Sequence, residues 1–109
     1  MTRAIAVVLA TAVAAGVAAI PSAGASKKTV AVKDSFFGPT SLKIAKDTKV
    51  VWVWKGRQKH NVAVASGPST FRAGTRKTGR FPHTFKKAGT YQIVCTIHAP
   101  DMHMKIVVK

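Results

Sequence analysis

After residue 25 this chain has no convincing helical period, only short alternating segments separated by turn signals at roughly ten-residue intervals. Residues 29–33, 42–45, 49–54, 61–65, 80–85, 90–96 and 103–108 each read as a strand, with β-branched and aromatic side chains at alternate positions. Residues 34–40 read as a turn around Phe36, Phe37, Gly38 and Pro39. Residues 66–79, rich in Gly, Pro, Ser and Thr, read as an irregular loop or short helix. Many short strands without helices predict two sheets packed face to face, or a barrel. Trp52 and Trp54, two positions apart, are expected on one face of their strand.

Residues 1–25 are a different kind of sequence. Arg3 supplies a positive start, residues 4–20 are almost wholly apolar or small, and Ala23, Gly24 and Ala25 satisfy a small-x-small cleavage rule before Ser26. This predicts a secretory signal peptide over 1–25; the competing reading is a permanent anchor of borderline length. The remaining 84 residues, 26–109, make one small domain. The expected location is outside the cytoplasm, periplasmic or secreted and cell-wall associated. Small exported domains often rely on disulfides, but the single cysteine here, Cys95, allows no internal bridge.

Cys95 stands three positions before His98 and seven before Met102, and His60 with Asn61 lies far upstream. Two imidazoles, a thiolate and a thioether form the donor set of trigonal copper sites that move single electrons. The imidazoles and thiolate serve both Cu(II) and Cu(I), and a rigid rim between strands keeps rearrangement small when the charge changes. Met104 competes with Met102 for the axial position, but it falls where the strand pattern has resumed. His103 is turned away from the methionine face by strand alternation. His83 is expected to be a structural histidine, solvent-facing or hydrogen-bonded and directed away from Phe81 and Phe85.

The segment from Tyr91 to His98, the upstream His60, Asn61 and Val62, and the close from Met102 to Val108 resemble the plastocyanin, amicyanin and pseudoazurin branch of the cupredoxins. The resemblance spans about residues 29 to 108. It implies an all-β, single-domain antiparallel Greek-key β-sandwich holding one mononuclear type 1 copper ion on His60, Cys95, His98 and Met102. One departure concerns the ligand loop: Ala99, Pro100 and Asp101 put three residues between His98 and Met102, where two or four are common in such proteins. The resemblance also implies that Asn61 braces the ligand loop by hydrogen bonding. It makes His98 the electron port within an apolar patch formed by Ala99, Pro100 and Phe36 or Phe37. Four protein ligands leave no open position for a substrate, so no enzymatic turnover is expected.

Charge bears on partners. Residues 26–109 carry 17 Lys and Arg against three Asp and no Glu, a net +14 with neutral histidines. Such a field speeds encounter with an acidic redox partner and attracts anionic envelope polymers. Any basic domain can bind nucleic acid, but export makes a specific nucleic-acid target unexpected. Lys55, Arg57 and Lys59 precede His60 and suggest a docking loop for an acidic protein. The expected function is a monomeric one-electron carrier. The alternatives are extracytoplasmic copper storage or delivery and a metal-free basic binding module.

Overall fold

Val50, Trp52 and Trp54 alternate along one segment, and all three are buried, which fixes the inward face of that strand. The same rule of two builds the rest of the computed structural model, which describes residues 26–109. The expected signal peptide at 1–25 lies outside the described residues. The strands are β1 (Lys27–Lys33), β2 (Phe36–Gly38), β3 (Ser41–Ile44), β4 (Lys49–Trp54), β5 (His60–Ser66), β6 (Arg72–Arg76), β7 (Arg80–Thr84), β8 (Gly89–Val94) and β9 (His103–Val108). No helix occurs among the described residues.

One sheet has the order β2-β1-β4-β7 and the other β3-β9-β8-β5-β6. The all-β sandwich is as expected, but the sheets are mixed: β1 runs parallel to β4, and β3 runs parallel to β9. The other pairs are antiparallel. A parallel neighbour requires a crossover. Between β1 and β4 the chain makes that crossover by leaving the first sheet to form β3 in the second.

Two strands lie where loops were expected. β2 occupies the supposed turn and pairs Phe37 with Val32; three residues are too few for alternation to show in the sequence. β6 lies inside the supposed loop at 66–79 as an edge strand with only Ala73 buried, so it carries no apolar period.

Trp52 sits at the centre of the packed faces, with ring centroids 5.7 Å from Phe71, 5.9 Å from Phe81 and 6.4 Å from Phe85. His83 belongs to this cluster, contrary to the expectation. Positions 81, 83 and 85 share one face of a period-2 strand, so His83 stacks on Phe71 at 3.9 Å and meets Phe85 edge-on at 4.8 Å. Burial holds its pKa below the ordinary 6.5.

Candidate metal centre

Cys95 follows the last residue of β8, and the β8–β9 ladder continues one step beyond the strands. Val94 pairs with His103, and the Cys95 N–H then donates to the Met102 carbonyl at 3.1 Å. Between those two residues the loop closes on itself. His98 N–H donates to the Cys95 carbonyl at 3.1 Å, and Met102 N–H donates to the His98 carbonyl at 3.1 Å. Three candidate ligands are thereby carried by one hydrogen-bonded loop. The fourth, His60, opens β5 on the neighbouring strand.

His60 Nδ1 lies 3.9 Å from Cys95 Sγ, and His98 Nδ1 lies 3.5 Å from it. All three ligand atoms fall within 4.8 Å of one another. Metal bonds of about 2.0 Å to imidazole and about 2.3 Å to thiolate, spread by 120°, separate nitrogen from sulfur by about 3.7 Å. The observed separations bracket that value. The sulfur–nitrogen separations therefore suit one ion held by two nitrogens and a thiolate. Cys95 and His60 are fully buried, while His98 is half-buried and presents an edge to the surface.

Met102 and Met104 both point inward and are fully buried. They differ in level. Met104 pairs with Ile93, two residues before the cysteine, whereas Met102 is hydrogen-bonded to Cys95 itself. That level favours Met102 as the sulfur beside the cluster.

Asn61 ties the two halves of the centre together. Its Oδ1 accepts from Thr96 N–H at 2.8 Å, and its Nδ2 donates to the hydroxyls of Thr96 at 2.8 Å and Thr75 at 3.1 Å. Its backbone N–H donates to Cys95 Sγ at 3.4 Å. A register shift makes this possible: His60 pairs with Arg76 and Val62 with Ala73, so β6 carries an extra residue there and Thr75 reaches Asn61.

Further residues around the site were not singled out by the sequence. Asp34 Oδ1 lies 3.0 Å from His60 Nε2 and accepts the N–H groups of Arg57 and Gln58, each at 2.9 Å. The Gln58 N–H, then His60, then the Arg57 N–H hold the Asp34 carboxyl down at about 2. A signal existed, because Asp34 is one of only three acidic residues in a strongly basic chain. Trp54 Nε1–H donates to the His60 carbonyl at 3.0 Å, and the Arg76 guanidinium lies over the Trp54 ring at 5.0 Å. These contacts join residues distant in sequence and have no local pattern.

The surface around His98 carries exposed Ala99 and Pro100 and an Ile97 that is 53% exposed. Phe36 is 49% exposed, but Phe37 is fully buried in the core and takes no part in a surface patch. Exposed His103 donates from Nδ1 to the Pro100 carbonyl at 3.0 Å and is not among the clustered ligand atoms.

Residues 25–109 match a family profile described as copper binding proteins, plastocyanin/azurin family. No curated protein sequence matches the chain. Among solved structures it is similar to a copper-containing nitrite reductase from Thermus scotoductus SA-01, with TM-score 0.66 and 29% identity over 74% of this chain. This similarity covers only 22% of the nitrite reductase. A purple cupredoxin from Nitrosopumilus maritimus shares the fold, with TM-score 0.65 and 22% identity over 74% of this chain and 98% of that one. A reduced amicyanin variant gives TM-score 0.62 and 28% identity over 74% of this chain and 80% of that one.

Proposed function

The chain belongs to the plastocyanin/azurin family of copper-binding proteins, and from that premise we propose that it carries single electrons between redox proteins outside the cytoplasm. His60, Cys95, His98 and Met102 are the proposed ligands of one type 1 copper ion. The observation that carries this reading is the buried Cys95 Sγ with one histidine Nδ1 at 3.9 Å and another at 3.5 Å. When bound, copper supplies a centre that accepts one electron as Cu(II) and returns it as Cu(I).

The protein's part is to hold those donors still. The loop hydrogen bonds fix Cys95, His98 and Met102 to one frame, and Asn61 locks that frame to the strand bearing His60. A frame set before metal arrives resists rearrangement when the charge changes, which is what fast one-electron exchange requires. His98, half-buried and flanked by Ile97, Ala99 and Pro100, is the proposed exit for the electron. Four protein donors leave no substrate position, so no turnover is expected. The leader-like sequence at 1–25 supports export, and the basic surface suits an acidic redox partner. A delivery role fits the burial less well, because Cys95 and His60 are closed to an incoming ligand and only the His98 edge is open.

The test is a visible absorption and EPR spectrum of the protein with one equivalent of Cu(II), beside Cys95→Ser. An intense thiolate-to-copper band lost in the variant, with reversible voltammetry and fast self-exchange, is the expected result. Ordinary tetragonal copper spectra from both proteins would defeat the reading. A strong band with rapid loss of copper to a metal-free acceptor protein would favour delivery.

A further inference from the structure

The three donors on the Asp34 carboxylate form a built cradle. Lys33 pairs with Phe36 across a two-residue turn of Asp34 and Ser35, with Ser35 at φ 71°, and this turn swings the carboxylate toward the 55–58 loop. That loop is anchored in turn by Lys55 N–H to the Val32 carbonyl at 2.8 Å. Gly56 fits only because it lacks a side chain: a Cβ there would strike the Asp34 carboxylate and come within 2.8 Å of the Asp34 backbone nitrogen. The carboxylate is thus gripped by backbone on two sides, with one direction left, toward His60 Nε2 at 3.0 Å.

An ionised carboxylate only accepts hydrogen bonds, so the proton of a neutral His60 ring must sit on Nε2. The Nδ1 lone pair then faces Cys95 Sγ, which is the tautomer a metal ligand needs. A negative charge behind the ring also increases electron donation through it. Donation of this kind stabilises the more highly charged metal state.

We propose that Asp34 is a positioning residue for His60: its carboxylate fixes the tautomer that turns Nδ1 toward the metal and favours Cu(II) over Cu(I). The proposal rests on the copper reading for its redox half and on geometry alone for its tautomer half. His60 is fully buried and Asp34 about one-third exposed, with side-chain exposures of 0% and 38%, so the hydrogen bond rather than the field through solvent carries the effect.

Two measurements separate the halves. In the metal-free protein at about pH 8, where a free imidazole is neutral, long-range proton–nitrogen NMR correlations report which nitrogen of His60 is protonated. The full chain is expected to show Nε2–H, and Asp34→Ala a mixture of tautomers. In the copper-loaded protein, voltammetry compares Asp34→Asn with Asp47→Asn, which removes the same charge from an exposed residue in the turn before β4. Asp34→Asn should lower the ratio of Cu(II) to Cu(I) affinity by about tenfold, a rise of about 59 mV for one electron. Asp47→Asn should leave the potential unchanged. Equal potentials for the two variants, or an Nδ1–H tautomer in the unmodified protein, would overturn the proposal. Loss of the thiolate-to-copper band in the unmodified protein would instead overturn the copper reading, and the NMR arm would still decide whether Asp34 orients His60.

Discussion

Asn61 makes two side-chain hydrogen bonds to Thr96 of the ligand loop and one to Thr75 of β6, and truncating it would remove all three. Asn61→Ala is expected to cost about 1–3 kcal/mol through the loss of these part-buried hydrogen bonds, as read from denaturant unfolding. A cost near zero would mean that the loop is held by its own backbone bonds alone. His83 gives a pH prediction. Burial lowers its folded pKa below 6.5, so the unfolded chain binds the extra proton first. The stability it contributes is present above about pH 6.5 and is lost as pH falls through that value toward the lower folded pKa. His83→Phe should therefore flatten the decline between about pH 7.5 and about pH 5. An unchanged difference in unfolding midpoint between the two pH values would assign the acid sensitivity to other groups.

At the scale of elements, the site depends on how β8 and β9 are registered. Because Met102 is level with Cys95 and Met104 with Ile93, the two methionines are expected to differ in role. Met104→Leu is a near volume-conserving change in the core and should cost less than about 1.5 kcal/mol while leaving the copper spectrum intact. Met102→Leu should shift both the spectrum and the potential, since it removes the proposed fourth ligand. The reverse pattern in absorption and voltammetry would make Met104 the axial donor and show that the loop resets when metal binds. The same register argument explains β6. Its extra residue lets Thr75 meet Asn61, a contact that a regular ladder would miss.

For the whole molecule, the net positive charge is the quantity that bears on partners, and three of its basic side chains lie on a loop tied to the candidate site. Lys55, Arg57 and Lys59 are exposed on a loop whose backbone is bound to Asp34, which in turn contacts His60. A basic surface beside the metal site raises encounter rates with an acidic partner and does so most at low ionic strength. Reversing Lys55, Arg57 and Lys59 to Glu should slow association with that partner and flatten its salt dependence, measured by stopped-flow at several ionic strengths. Unchanged kinetics would remove the loop from the docking surface.

Local patterns in the sequence sufficed for the class of fold and for proposing three of the four candidate ligands; His60, far upstream, came from the resemblance as well. A period of two is visible in 49–54, 90–96 and 103–108, and Cys95, His98 and Met102 lie within eight residues of one another. It left β2 and β6 unread, since a three-residue strand and an exposed edge strand carry no apolar period. Only the tertiary structure decided that β1 and β4 run parallel, that Phe37 and His83 turn inward, and that Met102 rather than Met104 is level with the cysteine. The contacts of Asp34 with His60, of Trp54 with the His60 carbonyl and of Thr75 with Asn61 were decided there too. Each joins separate elements or a strand and a distant turn, and such a contact exists only once the sheets have packed and fixed the distance between its two ends.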